Sequence, residues 1–458
     1  MHANPEKQIV RFKGIKENLH KWWEFAQKLS LGIAQKDNAL FQKSIMIDGI
    51  SKIDSFASRS EQNGWIIPDE WSVKKCSIKD THGNEIYDGL ENPLAVAAYS
   101  SSFEGVLKKE QYNNHFYTSL EKPNSIPFHF LFRYKPWLNE WAICMPQAIR
   151  DEIEYNSEVS IELITEKVPG KMHTLEYSHE GQSSKTYYFN AHDCHPCQFE
   201  DGPAGMVIIW ELFNWLKGRK TKYSYKALIA PEIIGSSYYL MNLPKQDVNN
   251  IEACLFLEML GLNHRYSIQQ SVKENSIYER AIQHILSLRE EEYGLFGFRE
   301  CVGNDEILWE SPGFSIPCPS LTRVRGGGIF PHYDEYHTAA DKIYEYTEKS
   351  IISTLDLLKE VITIIENNVV PQVTCRGIPC LSNPKIDLYK TNYDPTVNKD
   401  KNTVFHKRIS RMQMKIFHDL QKGLDVLDLA ILYQLPFNEV FNFIKKLEEF
   451  NFVITAEI

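Results

Sequence analysis

The chain has 458 residues, of which 43% are hydrophobic, 12% aromatic and 24% charged, the balance of a folded globular protein and not of a disordered or fibrous one. With 50 Lys and Arg against 60 Asp and Glu the formal charge is -10, so no basic field exists to draw in nucleic acid or an anionic membrane. At this length two or three domains are expected, because single cores stop growing at about 250–300 residues. No apolar run reaches the roughly 18–20 residues needed to cross a bilayer, and the start MHANPEKQIVRFKG is polar where a signal peptide needs an apolar stretch. The expectation is a soluble, cytoplasmic protein. Nine cysteines, thinly spread, fit reduced thiols better than a disulfide framework.

Residues 15–60 carry helical spacing, through Leu19, Trp22, Trp23, Phe25, Ala26 and Leu29 and then Leu40, Ile45 and Ile47. Residues 1–62 are therefore assigned to the helical start of the catalytic domain. Over 63–150 the texture changes to short β-prone runs broken by turn signals (WIIPDEW, LAVAAYSSSF, IPFHFLFRY, WAICMP), which predicts an inserted β-rich domain. From 151 to 370, strand-like runs (YYFNA, YKALIAP, ACLFLEML) alternate with helix-like segments (AGMVIIWELFNWLKG, SIYERAIQHILSLREE). That alternation predicts an α/β domain with a mixed sheet sandwiched by helices, its ligands gathering beyond the carboxyl ends of the strands. A Pro-punctuated stretch over 371–403 reads as a linker. Residues 404–458 read as helix, helix, helix and terminal strand, the order of a winged helix-turn-helix domain.

The densest chemistry lies in AHDCHPCQFEDGPAG, after a strand-like run and before a helix. His192, Asp193, Cys194, His195, Cys197, Glu200 and Asp201 crowd together there, and imidazole with carboxylate is a ligand set that zinc accepts. Alone, such a cluster is as readily a solvated loop. Three more strand ends bear acids or histidines: Glu232 after YKALIA, Glu258 after ACLFL, and His332, Asp334, Glu335, His337 and Asp341 in PHYDEYHTAAD. A charge at the tail of a buried strand is costly unless it is paired or bound to a metal, so four such tails suggest one shared site. Singly, Glu232 or Glu258 would be a salt bridge or a helix cap.

The order of the His/Asp-Gly loop, PEIIG, EMLG and EYHTAAD resembles the zinc aminopeptidases of the M28 type. The whole chain is similar to aminopeptidase-like proteins found near surface-polysaccharide genes, which combine that domain with an inserted β-rich domain and a C-terminal winged helix. The resemblance implies His195, Asp201, Glu258 and His337 as metal ligands, with Asp201 bridging two ions, and Glu232 as the catalytic base. His192 is the rival of His195, since the strand YYFNA ends just before it. The family keeps a Glu-Glu pair where this chain has Pro231-Glu232 or Glu232-Ile233, so one carboxylate is missing. Either Glu232 is the base and the second metal is loosely held, or it is a ligand of a single zinc, as in the glutaminyl cyclases that share the fold. Asp334 or Glu335 would supply the missing group. Arg323, Tyr333, Asp334 and Tyr336 are the candidate substrate-binding residues.

The expected activity is a zinc-dependent hydrolase, with one or two Zn ions, removing an N-terminal residue from a peptide or another small amide. Its alternatives are a metal-binding regulatory protein acting through the winged helix, and an amidase or deacetylase on an N-acylated sugar. The Cys194–Cys197 pair reads as metal-adjacent more than redox-active, because a thioredoxin-like CxxC opens a small domain. Gly326–Gly328 lacks the Lys-Ser/Thr of a phosphate loop. The near-neutral terminal unit favours homo-oligomerisation or a protein partner over DNA.

Overall fold

The computed structural model describes residues 15–112, 114–130, 132–327, 332–389 and 403–456. It forms two compact units, one running to Glu274 and resuming over Gly294–Leu355, the other made of Asn275–Tyr293 and the chain from Asp356 onward.

The main sheet has eight strands, in the spatial order Ser51–Ala57, Lys171–His179, Ser224–Ala230, Thr186–His192, Ile251–Leu257, Ser320–Thr322, Tyr266–Gln269, Tyr293–Phe296. Ser224–Ala230, Thr186–His192, Ile251–Leu257 and Ser320–Thr322 run parallel, flanked by antiparallel neighbours. Every residue of Thr186–His192 is buried, which explains why the central strands read as continuous apolar runs: both faces are covered by helices. Helix Pro203–Leu216 begins on a proline, whose missing N–H costs nothing in the first turn. Gly205 lets it settle on the sheet, since a Cβ there would stand 2.0 Å from the carbonyl oxygen of Leu257.

This is the expected α/β architecture, with elements placed differently in detail. Residues 51–57, inside the stretch read as helical, form an edge strand paired with Lys171–His179. The β-rich insertion holds a second sheet, ordered Glu85–Asp88, Glu70–Lys79, Glu158–Val168, Phe103–Lys108. Its Glu158–Val168 strand comes from beyond residue 150, because Val159, Ile161 and Leu163 close the core that Tyr112, Trp141 and Ile143 begin. Across the start of the expected linker, Val370–Val373 is a strand paired with Val453–Ala456; residues 390–402 and Gly328 lie outside the described residues.

In the second unit, helices Thr403–Asp419, Val426–Tyr433 and Phe437–Glu449 precede the Val453–Ala456 strand. Helix Ile277–Leu288, expected in the catalytic domain, belongs here. Ser276 and Glu279 cap it reciprocally, and Arg280 on its surface holds Asp425 at 2.9 Å and Asp428 at 2.6 Å. On the same helix, burial pushes the imidazole of His284 down to about 4. The unfolded chain takes up this proton near pH 6.5 and the folded chain does not, so stability present above that pH drains away as pH falls towards 4. Between pH 7 and 5 the loss is about 2 kcal/mol. Denaturant unfolding of His284→Gln beside wild type should show the variant spared most of that loss.

Among the described residues no helix is long and apolar enough to cross a membrane. All nine cysteines are free thiols.

Candidate metal centre

Parallel strands deliver the acidic and imidazole groups to one edge of the sheet. His192 ends its strand, Glu258 directly follows the neighbouring Ile251–Leu257, and Glu232 lies two residues beyond Ser224–Ala230 on the other side. The loop from Asp193 to Gly202 brings in His195 and Asp201. Buried Asp341 shapes that loop by accepting the backbone N–H groups of Phe199 (2.9 Å) and Glu200 (3.1 Å) and the hydroxyl of Tyr333 (2.9 Å). Asn38 and Gln42 of the N-terminal helix Lys36–Ser44 donate to the Asp193 carbonyl and carboxylate, both at 2.9 Å. The loop ends on Gly202, whose φ of +118° and the 2.5 Å that would separate a Cβ from the His192 carbonyl oxygen admit only glycine.

Four side-chain-bearing residues at or beside the site hold left-handed backbone: Cys197 (φ 52°), Ile233 (φ 63°), Met259 (φ 53°) and His337 (φ 54°). Each costs about 1–3 kcal/mol, Ile233 most plainly because it is β-branched. Ile233 is held there by donating its N–H to Asp305 at 2.5 Å.

Around Asp201 the donors fall into two groups, His192–Asp201–Glu258 and His195–Asp201–His337, each with ligand atoms within 4.8 Å of one another. The two oxygens of Asp201 divide between them. Oδ1 faces His192 Nε2 at 3.6 Å, while Oδ2 faces His195 Nε2 at 3.1 Å and His337 Nε2 at 3.0 Å. His192 Nε2 also stands 3.3 Å from Glu258 Oε2, which accepts a 2.6 Å bond from Asn304.

Cations fit these positions. His195 Nδ1 lies 2.9 Å from the Pro196 carbonyl, an acceptor only, so Nδ1 carries the proton. In the neutral ring Nε2 then presents a lone pair to an Asp201 oxygen that is itself an acceptor, and something positive must lie between them. Burial lowers the His195 pKa and favours that neutral form. Burial opposes charge on Asp201 as well, but the His195 and His337 imidazoles against it outweigh burial and hold the carboxyl well below the usual range. Glu258 Oε1 is buried with no partner among the described residues.

A cavity of about 210 Å³ opens over this centre, lined by Asp201, Glu232, His337, Tyr336, Asn304 and, from the insertion, Phe128, Phe130, Arg133 and Tyr134. The insertion is tied in where Phe128 N–H donates to the His337 carbonyl at 2.7 Å. The Phe128 ring then stacks on His195 with centroids 3.9 Å apart, and Tyr336 stacks on His337 at the same distance. Glu232 accepts from the Tyr134 hydroxyl at 2.9 Å and from the Cys194 thiol at 3.1 Å. Burial pushes its pKa up, yet the charges of His192 and Arg133 outweigh burial and keep the carboxyl below its ordinary value.

The model of the family described as Domain of unknown function (DUF4910) matches residues 41–368. The chain belongs to that family. It is 28% identical over 309 residues to a Clostridium acetobutylicum protein named "Putative polysaccharide biosynthesis protein with aminopeptidase-like domain", covering 66% of this chain and 67% of that one. A crystal structure titled as a "putative peptidase" of Clostridium acetobutylicum superposes with a TM-score of 0.76 at 21% identity, over 96% of each chain. BSAP, a zinc aminopeptidase from Bacillus subtilis, superposes with a TM-score of 0.56 at 12% identity, over 77% of this chain and 94% of that one. This DUF4910 chain thus has the zinc-aminopeptidase fold that its motifs resemble.

Of the residues singled out in the sequence, the DUF4910 fold brings His195, Asp201, Glu232, Glu258 and His337 together. His192 and His195 are not rivals: each stands in its own group. The structure does not bring Asp334 or Glu335 in for a missing carboxylate, because Arg325 holds the first at 2.6 Å and Lys122 the second at 2.9 Å. Nor do Arg323, Tyr333 and Asp334 line the cavity. Arg323 lies over the Tyr266 ring and donates to the His264 carbonyl, Tyr333 is buried against Asp341, and Asp334 is exposed; Tyr336 alone of the four faces the cavity. Phe128, Phe130, Arg133, Tyr134 and Asn304 escaped the sequence reading. A signal for Arg133 was present, since an arginine inside the aromatic run FHFLFRYKPW is as costly as a carboxylate at a strand tail.

Proposed function

We propose that the chain is a dinuclear zinc-dependent hydrolase that removes an N-terminal residue from a peptide or aminoacyl conjugate. The observation that carries this is the division of Asp201, one oxygen to each donor group. His192 and Glu258 would hold one ion and His195 and His337 the other, with Asp201 shared; His195 would take the place of the carboxylate missing beside Glu232. Bound ions would supply Lewis acidity, lowering the pKa of a water molecule and polarising the scissile carbonyl. Glu232, ionised and fixed by Tyr134, would accept the water's proton and pass it to the departing amine. Asn304 keeps Glu258 turned towards His192, and Phe128 and Tyr336 shield the imidazoles from bulk water.

The test is zinc content per chain, followed by assay on aminoacyl p-nitroanilides and on N-acylated amino sugars. Two equivalents and chelator-sensitive release of p-nitroaniline are expected. Turnover of the sugars alone would favour the second reading, an amidase on a sugar-linked amide, which the name of the Clostridium acetobutylicum relative supports. Two ions without any turnover would point instead to a metal-stabilised binding protein.

A further inference from the structure

Arg133 is 2% exposed and lines the cavity over the metal centre. Its Nη1 donates to Cys194 Sγ at 2.6 Å, and its Nε and Nη2 meet no acceptor among the described residues. Those two N–H groups form the side-on fork of a guanidinium, the edge that grips a carboxylate with two parallel bonds. The chain uses that same edge elsewhere: Arg59 holds Asp69 through Nε at 2.9 Å and Nη2 at 2.7 Å. At Arg133 the fork is empty, although a buried, permanently charged group left half-satisfied is strongly unfavourable. Such a residue is retained in a cavity wall for a partner that arrives from outside.

The surroundings narrow that partner. Asp201, Glu232 and Glu258 bring three negative charges, which two divalent ions would more than neutralise, leaving room for an anionic ligand. The Tyr134 ring, with the Arg133 guanidinium carbon 5.7 Å from its centroid, and the buried Phe128 exclude water and sharpen the attraction. Arg133 stands two contacts, of 2.6 and 3.1 Å, from Oε2 of Glu232. An aspartyl or glutamyl residue spans a comparable gap, its carboxylate lying three or four carbon–carbon bonds of about 1.5 Å each from the scissile carbonyl.

We propose that Arg133 anchors the side-chain carboxylate of an acidic N-terminal residue, making the chain selective for aspartyl or glutamyl substrates. This rests on the metal-centre reading above, and the test separates the two by reading binding without turnover. Calorimetric titration of the zinc-loaded full chain compares the α-hydroxamates of glutamate and glutamine, two metal-seeking probes that differ only in carboxylate against amide. The glutamate probe should bind about ten- to a hundredfold tighter. Arg133→Gln should erase that difference while moving the glutamine probe less than about threefold, and Arg133→Lys, which keeps the charge without the fork, should restore part of it. Equal affinities in the wild-type chain, which needs no variant to fold, would overturn the proposal and leave the metal centre standing. A preference that survives in Arg133→Gln would also overturn it, because the ions alone would then be its source. If neither hydroxamate binds, the metal-centre reading fails and this inference with it.

Discussion

Asp201→Asn is expected to lose both metal equivalents at once, whereas His192→Ala and His337→Ala should each lose one. Every other donor belongs to a single group, but Asp201 gives Oδ1 to one and Oδ2 to the other. Asparagine keeps the shape and removes the charge, replacing one oxygen with an NH2 that repels a cation. Removing one member of a buried charge pair costs about 3–5 kcal/mol, so affinity at both positions should fall by about 10²- to 10⁴-fold. Elemental analysis after dialysis against a weak chelator would read this directly. Retention of one full equivalent in Asp201→Asn would show that the two groups do not share this carboxylate. The fold itself should survive, because Asp341 shapes the loop through backbone groups that the substitution does not touch.

Glu232→Gln should do the reverse and keep the metal while removing turnover. Glu232 belongs to neither donor group, yet it lines the cavity and is fixed by Tyr134 and Cys194. An amide of the same size can receive those contacts but cannot take a proton, and loss of a positioned base costs about 10²- to 10⁴-fold in rate. The expected result is two zinc equivalents with kcat down by that factor and KM little changed. A drop to one equivalent would make Glu232 a ligand, the single-zinc arrangement left open by its solitary carboxylate. Unchanged kcat would remove it from the chemistry altogether.

The two variants test different kinds of information. Local chemistry was readable from the chain alone: His192, Glu232 and Glu258 each announce themselves by placing an ionisable group where a buried strand ends, a position physics penalises unless something pairs with it, whereas His337, expected at a strand end, lies in a turn well past the Ser320–Thr322 strand. Periodicity likewise showed the α/β alternation, because the central parallel strands are buried on both faces and leave long apolar runs.

What the sequence could not determine was any relation set by pairing between distant segments. Glu158–Val168 belongs to the small sheet because its inward residues complete a core begun over forty positions earlier, and helix Ile277–Leu288 joins the second unit through Arg280 and two aspartates some 145 residues away. Whether His192 or His195 served the site looked like a choice along the chain; in three dimensions the turn after the strand carries them to opposite oxygens of Asp201. Arg133 shows the limit most plainly. Within its own run it is one charge among aromatics, and backbone bonds to a distant segment, Phe128 to His337 and Ala339 to Ile126, carry it to the cavity. Strand ends are local events, legible in composition and spacing. Which ends meet, and which loop from another sheet leans over them, is decided by burial summed over the whole fold.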